Sequence, residues 1–564
     1  MKLHLVPRFR AAPAWLIFCL FWLATFALYV QDIKAGWVID AAGWLWHVRH
    51  DAFWDYLNRK GSQINSLYQF TQLITWVFYK IWGANNWAWG LLYITMHSIN
   101  ALLLFLIFSK LFTDSGITFS QSRIITFTAI LLWTVCPHNS EVLIWKACYH
   151  YLQGFMMILL CLFWMQQFQY VQKPVYAVAV ALLFLCSVFS LEVFYLTPVC
   201  TLGISIYYRI VLKVKKSIFR KSVLWFLLPQ LMIIVYYGFV FRCMYPGGKP
   251  HVYNLLSQSP NEYLSKIPAN MFHLVFLGRY FPWDMRKPLY ELFHQTFFLT
   301  TFYAVFVLLI ATVCIVAIRS KKREFVIAEL LLGLLLAALA LLIPLPFPVN
   351  SLYVFYDRYL YVAGSFFFLL LSFLIWNVRP RIVSIGLLIT YGICNLYCTL
   401  MVNHLWKDAA YVDNRLIQEF PAKPGKTILL LNVPENMMGA AMIGANPDGA
   451  FKSLRELMVD SIVKNPVYDV LSFVCNTRHD GVHCIIKNDS VMQVVFSQCC
   501  NWWIYDGRGA VNYENSEYSV RLQDNSYILT LKHPAQTYQL LYVNDGMWYE
   551  QKWERRNPDL SQYH

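Results

Sequence analysis

Between residues 13 and 403 the chain alternates long apolar blocks with short polar breaks, and most blocks approach the ~20 residues that cross a bilayer as a helix. They predict about eleven spans, at 13–31, 86–112, 122–136, 146–168, 174–190, 193–212, 222–242, 297–318, 325–346, 358–377 and 382–403. Residues 67–82 (LYQFTQLITWVFYKIW) are apolar but interrupted, and predict a helix lying at the interface. From 404 onward the pattern changes. A helical stretch (WKDAAYVDNRLIQEF) leads into KTILLLNVPEN, a strand with a turn signal, and then into a helix around 449–463. After 466 come short runs rich in Val, Ile and Tyr, broken by DGVH, DGRG and NDGM, which predict strands and hairpins. The expected architecture is an α-helical polytopic membrane protein with a C-terminal α+β extracytoplasmic domain. Its membrane part is 1–403, with external loops 32–85 and 243–296, and its tail is 404–564.

Composition agrees with that picture. The 564 residues are 58% hydrophobic, 17% aromatic and only 14% charged, with mean hydropathy +0.45; a soluble domain carries roughly 25% charged residues. The net charge of +15 is spread over inter-span loops. Lys2, Arg8 and Arg10, the loop at 110–123, Lys173, RIVLKVKKSIFRK, RSKKR at 319–323 and RPR at 379–381 fall on alternate ends of successive spans. By the positive-inside rule these ends are cytoplasmic, which puts the N-terminus inside and the C-terminus outside, periplasmic if the membrane is a bacterial inner membrane. Basic residues confined to short loops make no continuous face for nucleic acid. The first span is too long, and lacks a small-residue cleavage pattern, for a signal peptide. In the tail, Cys475, Cys484, Cys499 and Cys500 allow one disulfide or free thiols, and no CxxC pair supports zinc.

Ionisable groups beside spans are expensive, so those on the external side are functional candidates. They are Asp32, Asp40, His138, Glu141, His150, Glu192, Arg279, Asp284, Arg286, Asp357 and Arg358. Asp40 lies in GWVIDAAGWLW, where desolvation would raise its proton affinity and suit a general base; the competing role is a helix N-cap. Glu141, in CPHNSEVLIW, is placed at the external start of a span, where an acid also complements the helix dipole. Glu192, in FSLEVFYLTP, sits in a very tight turn between apolar spans and needs a partner. Arg358, in YDRYLYV, opens a span; its fork can hold a phosphate, or it can snorkel with Asp357 as its ion pair. Arg279, Asp284 and Arg286 fall in an aromatic-rich loop where such residues commonly anchor.

Taken in order, these elements resemble the GT-C superfamily of membrane glycosyltransferases, and within it the protein O-mannosyltransferase-like group that uses polyprenyl-phosphate sugars. The likeness runs over about residues 13–415. GWVID resembles the acidic first-loop motif, matching Asp40. PHNSEVLIW resembles a Pro-His…Glu…Trp element, matching Pro137, His138, Glu141 and Trp145. SLEVFYLTP resembles a Lys-Glu…Pro element, matching Glu192 and Pro198. DRYLYV resembles an Arg-Tyr…Tyr element, matching Arg358, Tyr359 and Tyr361. Two positions depart: Asp40 is followed by Ala41 and Ala42 instead of a second acid, and Leu191 replaces the usual Lys.

The resemblance implies a polyprenyl-phosphate-linked sugar whose lipid lies between spans and whose phosphate sits at the external face. It implies Asp40 as base toward an acceptor hydroxyl of a protein, lipid or glycan. Arg358, helped by Arg279, stabilises the leaving phosphate. Glu141, Glu192 and His138 organise the phosphate, position the acceptor or bind a divalent cation, for which Mg²⁺ or Mn²⁺ suits oxygen ligands; metal use is left open. The rivals are a transporter or flippase of a lipid-linked glycan, which needs no external base, and a non-catalytic membrane assembly protein.

Overall fold

The computed structural model describes residues 13–38, 40–58, 67–191, 194–195, 197–246, 270, 273–294, 304, 333, 336, 353–354, 356–376, 380–444, 450–459, 462–497 and 511–553. Among them, five helices are long and apolar enough to cross a membrane: Asn86–Asp114, Lys146–Val171, Lys216–Met244, Asp357–Trp376 and Arg381–Gln418. Ala14–Tyr29 and Val175–Val188 are shorter apolar helices. The expected spans at 297–318 and 325–346 lie outside the described residues apart from 304, 333 and 336, so the count of eleven stays an expectation.

Local chemistry sets the boundaries. Asn85 starts the 29-residue helix Asn86–Asp114 by accepting from the backbone N–H groups of Trp87 (2.9 Å) and Ala88 (3.2 Å), which answers two of the orphan donors every helix start leaves. Helix Phe119–Thr134 stops just before Pro137, whose ring cannot continue an α-helical ladder. The chain bends there by 56°.

Here the structure corrects one expectation. PHNSEVLIW does not open the next span. It folds into short helical turns, Pro137–Asn139 and Ser140–Ile144, ahead of the span Lys146–Val171, whose first turn, Lys146–Cys148, is a 3-10 helix and whose α-helical part begins at Tyr149. Every residue from 136 to 149 is buried. An apolar run packed inside protein has the same composition as one facing lipid, so periodicity alone does not separate them.

This buried plug is tied to both ends of the membrane part. Ser140 donates to Asn403 (2.8 Å), and Asn403 donates to the carbonyl of Leu28 at the end of the first helix (2.8 Å). Tyr93 donates to the Lys146 carbonyl (2.5 Å). The first helix, the plug and the last span thus share one hydrogen-bonded node.

Arg381–Gln418 is a single helix of 38 residues, about 57 Å long at 1.5 Å per residue against a ~30 Å hydrocarbon core. Its end carries the tail: Trp548 donates to the Leu416 carbonyl (2.7 Å), and Phe420, Phe451 and Trp548 pack edge to face around it. The tail is mixed α+β. Its strands are β1 (Thr427–Leu430), β2 (Val433–Met437), β3 (Ala440–Ala441), β4 (Val467–Asp469), β5 (Ser472–Cys475), β6 (Val482–Ile486), β7 (Val491–Phe496), β8 (Tyr513–Glu514), β9 (Tyr518–Gln523), β10 (Ser526–Leu531), β11 (Tyr538–Asn544) and β12 (Met547–Gln551). They form sheets in the orders β12-β11-β1-β4, β6-β7-β10-β9-β8 and β3-β2-β5. In the first, β1 runs parallel to both β11 and β4. The helix expected around 449–463 is Ala450–Val459, and NDGM turns the β11–β12 hairpin with Asp545 and Gly546 at positive φ. Cys475 and Cys484 are free thiols, and Cys499 and Cys500 lie outside the described residues.

Candidate active site

The plug meets the start of the span helix that begins at Asp357. Tyr356 takes a left-handed conformation (φ 70°, ψ 17°) and turns the chain into the 3-10 helix Asp357–Leu360. A tyrosine there is strained, and such strain persists only where surrounding contacts fix it. The next two residues supply those contacts.

Asp357 and Arg358 do not pair with each other, as the sequence suggested. Each is held by a partner far away in the chain. Asp357 pairs with Arg279, both side chains at most 1% exposed, and accepts from the Tyr280 hydroxyl (3.0 Å), which in turn accepts from Arg279 (2.7 Å). His138 Nδ1 reaches the same Tyr280 hydroxyl, and its Nε2 lies 3.5 Å from the Leu274 carbonyl. Arg358 pairs with Glu141: its guanidinium meets Oε1, and its backbone N–H donates to Oε2 at 2.7 Å. Its Cζ stacks 4.8–5.0 Å from the ring centroids of Trp145, Tyr356 and Tyr359. Of the two arginines only Arg358 keeps an opening, with 13% of its side chain exposed against 0% for Arg279.

Tyr359 accepts from Arg358 (3.3 Å), at the site itself. Tyr361 points into the bundle, where its hydroxyl lies 3.0 Å from His97 Nδ1 and accepts from Asn100 (3.3 Å); His97 and Asn100, missed in the sequence, brace the same turn from below.

The first-loop segment reaches this cluster through its backbone. Asp40 opens the helix Asp40–His50, and the Trp145 indole donates to the carbonyl of Val38, two residues earlier (3.3 Å). Glu192 lies outside the described residues. Arg286 donates to the Phe281 carbonyl and Asp284 is exposed. His150 is covered by Trp44 and Tyr68.

Asp32 and Lys146 gain weight. Both are buried, at 4% and 1% exposed. Burial pushes the Asp32 carboxyl up to about 7, and the charges of Lys407 and Lys146 offset part of that. A lone lysine at a span end that the charge pattern of the sequence assigns to the external side runs against the positive-inside bias, and this was the available signal for Lys146.

The Asp32 shift has a testable sign. The folded state holds this proton more tightly than the unfolded chain, so Asp32 contributes stability that is full below about pH 4 and is lost as pH rises through about 7. Asp32→Asn should therefore gain in melting temperature relative to the parent between pH 5 and 7.5, read by intrinsic fluorescence in detergent. An equal difference at both pH values would contradict the assignment.

Among the described residues no cluster of three or more His, Cys, Asp or Glu is placed to hold a metal ion. Glu141 gives both oxygens to Arg358 and His138 has contacts at both ring nitrogens, which does not fit a ligand set built on these two.

No family profile matches the sequence, and no curated protein matches it. In fold the chain is similar to several solved structures. One is the Archaeoglobus fulgidus oligosaccharyltransferase tethered with an acceptor peptide containing the NVT sequon, with TM-score 0.39 and 11% identity over 80% of this chain and 64% of that one. Another is ArnT from Cupriavidus metallidurans bound to undecaprenyl phosphate, with TM-score 0.42 and 10% identity over 82% of this chain and 93% of that one. A third is the archaeal oligosaccharyltransferase AglB from Archaeoglobus fulgidus in complex with an inhibitory peptide and a dolichol-phosphate, with TM-score 0.38 and 11% identity. The chain thus spans less than two thirds of the length of the oligosaccharyltransferase. At these scores the likeness transfers no residue roles.

Proposed function

We propose that the chain is an integral-membrane glycosyltransferase of the GT-C type, of the O-mannosyltransferase-like group, which moves a sugar from a polyprenyl-phosphate donor to an acceptor hydroxyl at the external face. One observation carries the reading. Two elements that resemble that group's motifs meet in one buried network although Glu141 and Arg358 stand 217 positions apart, and the backbone just before Asp40 docks on the same Trp145 that Arg358 stacks against.

In this proposal Asp40 takes the proton of the acceptor hydroxyl as its oxygen attacks the anomeric carbon. The bond from that carbon to the phosphate oxygen breaks, the configuration inverts, and polyprenyl phosphate leaves. Arg358, the arginine with an open edge, faces the charge that develops on the phosphate. Glu141 positions Arg358, with one oxygen on the guanidinium and the other on the backbone N–H. Arg279 and His138, tied to Asp357 and Tyr280, order the turn that presents Arg358. Tyr359 lines the phosphate side, and Tyr361 holds the turn from the bundle interior. Glu192 is assigned to acceptor positioning or to a divalent cation, Mg²⁺ or Mn²⁺.

The test separates transfer from translocation. The purified chain in liposomes is given polyprenyl-phosphate mannose and a panel of other polyprenyl-phosphate sugars, each with external peptide, lipid or glycan acceptors. The lipid extract of at least one is expected to contain free polyprenyl phosphate. Donor that crosses the bilayer with its sugar–phosphate bond intact would make the protein a flippase instead.

A further inference from the structure

Six cations stand within 13 positions where the helix Thr197–Ile210 turns into the helix Lys216–Met244: Arg209, Lys213, Lys215, Lys216, Arg220 and Lys221. All six are exposed. The sequence carries no Asp or Glu between Glu192 and Glu262, and among the described residues none of the six is in an ion pair. Arg209 donates to the Val214 carbonyl (2.8 Å), which closes the turn. The nearest acid on the adjoining helix Asn86–Asp114 is Asp114, already held by Lys110 (2.6 Å) and by the Tyr170 hydroxyl.

Hydrogen bonds fix where this turn lies. Gln169 donates to Ser222 (3.0 Å), and the Tyr207 and Ser115 hydroxyls lie 2.5 Å apart. Gln169 is twenty residues along its helix from Tyr149, which follows the plug. That is about 30 Å at 1.5 Å per residue, the thickness of a hydrocarbon core. The cations therefore occupy the end of the membrane part opposite Arg358. Ile206, Ile210, Leu224 and Leu228, on the two helices that carry them, are large exposed apolar side chains of the kind that faces lipid. Charges within a turn or two of such side chains lie level with headgroup phosphates.

Orientation alone does not ask for this arrangement. The positive-inside bias is met by any excess of Lys and Arg in the loop. Here Lys215 stands at the N-cap and Lys216 at the first position of a helix with no acid in its first turn, where the helix dipole disfavours cations. Crowded like charges add to that cost, and a layer of phosphates relieves both.

We propose that this basic turn binds the headgroups of anionic phospholipids in the leaflet opposite the candidate active site. The claim stands apart from the transferase reading.

The full chain is reconstituted in nanodiscs of equimolar phosphatidylglycerol and phosphatidylcholine, extracted in mild detergent, and the lipids that stay bound are counted. The parent protein is expected to retain phosphatidylglycerol over phosphatidylcholine by about fivefold or more, the effect of one well-placed cation at an anionic surface. Changing Lys213, Lys215, Lys216, Arg220 and Lys221 together to Gln should bring the ratio close to one. Changing five exposed cations of the tail, Lys464, Arg478, Lys487, Arg521 and Lys552, to Gln should leave it unchanged, although the net charge falls equally. If the first variant does not insert, the parent decides: its preference should vanish in ~1 M sodium chloride, where charges are screened within about 3 Å. No preference in the parent, a preference that survives the five substitutions or the salt, or an equal loss in the tail variant would overturn the proposal.

Discussion

Asp40→Asn should slow sugar transfer by roughly 10²–10⁴-fold while leaving donor binding close to that of the parent protein. The amide keeps the shape of the carboxylate and most of its hydrogen bonding, including any capping of the helix that begins there, so stability should hardly change. What it loses is the ability to take a proton from the acceptor as its oxygen attacks. That loss falls on kcat rather than on the donor KM, because the base acts in the transition state. If Asp40→Asn transfers at the parent rate, Asp40 is only a cap, and the base must be sought at Asp32, which is buried close by in the chain and has a carboxyl pushed up to about 7.

Arg358→Ala should act differently. A charge-assisted hydrogen bond to a phosphate is worth about 1.5–3 kcal/mol, so kcat/KM should fall roughly 10–150-fold, with the donor KM raised. The same change strips Glu141 of its cation and leaves a buried carboxylate at 2% exposure, so the variant should also melt lower. Arg358→Lys should recover only part of the activity, since a point charge cannot reproduce the fork. Glu141→Gln is the informative control: its one carbonyl oxygen can still accept the backbone N–H while the amide loses the pairing with the guanidinium, so Arg358 stays in place but less firmly oriented and the effect on KM should be smaller. Titration of labelled polyprenyl phosphate onto the three variants, beside steady-state rates, reads all of this. An Arg358→Ala protein that binds polyprenyl phosphate like the parent would remove Arg358 from the phosphate site.

Much of the local structure was legible in the residues. Asn85 capping its helix and the NDGM hairpin follow from rules that act within a few positions, and each lies where those rules put it. Two of the four motif-like elements, the plug and the Arg358 turn, meet in the structure. Pairing across the chain was not legible. Nothing local distinguishes Asp357 paired with its neighbour from Asp357 paired with Arg279, 78 positions earlier, and the adjacent arginine was the natural guess. The bend after Thr134 was hidden for another reason, because EVLIW is equally at home in lipid and in a packed interior. Parallel pairing of β1 with β11, more than a hundred residues apart, leaves no trace in either strand's own pattern.

The most direct measurement is an experimental structure of the full chain with a bound polyprenyl phosphate. The account predicts the phosphate within hydrogen-bond distance of the open edge of Arg358, about 3 Å. It also predicts the Asp40 carboxylate across the same cavity, no more than ~15 Å from Glu141, a span of about ten residues of helical rise. A phosphate bound away from Arg358, or an Asp40 carboxylate turned from that cavity, would contradict it.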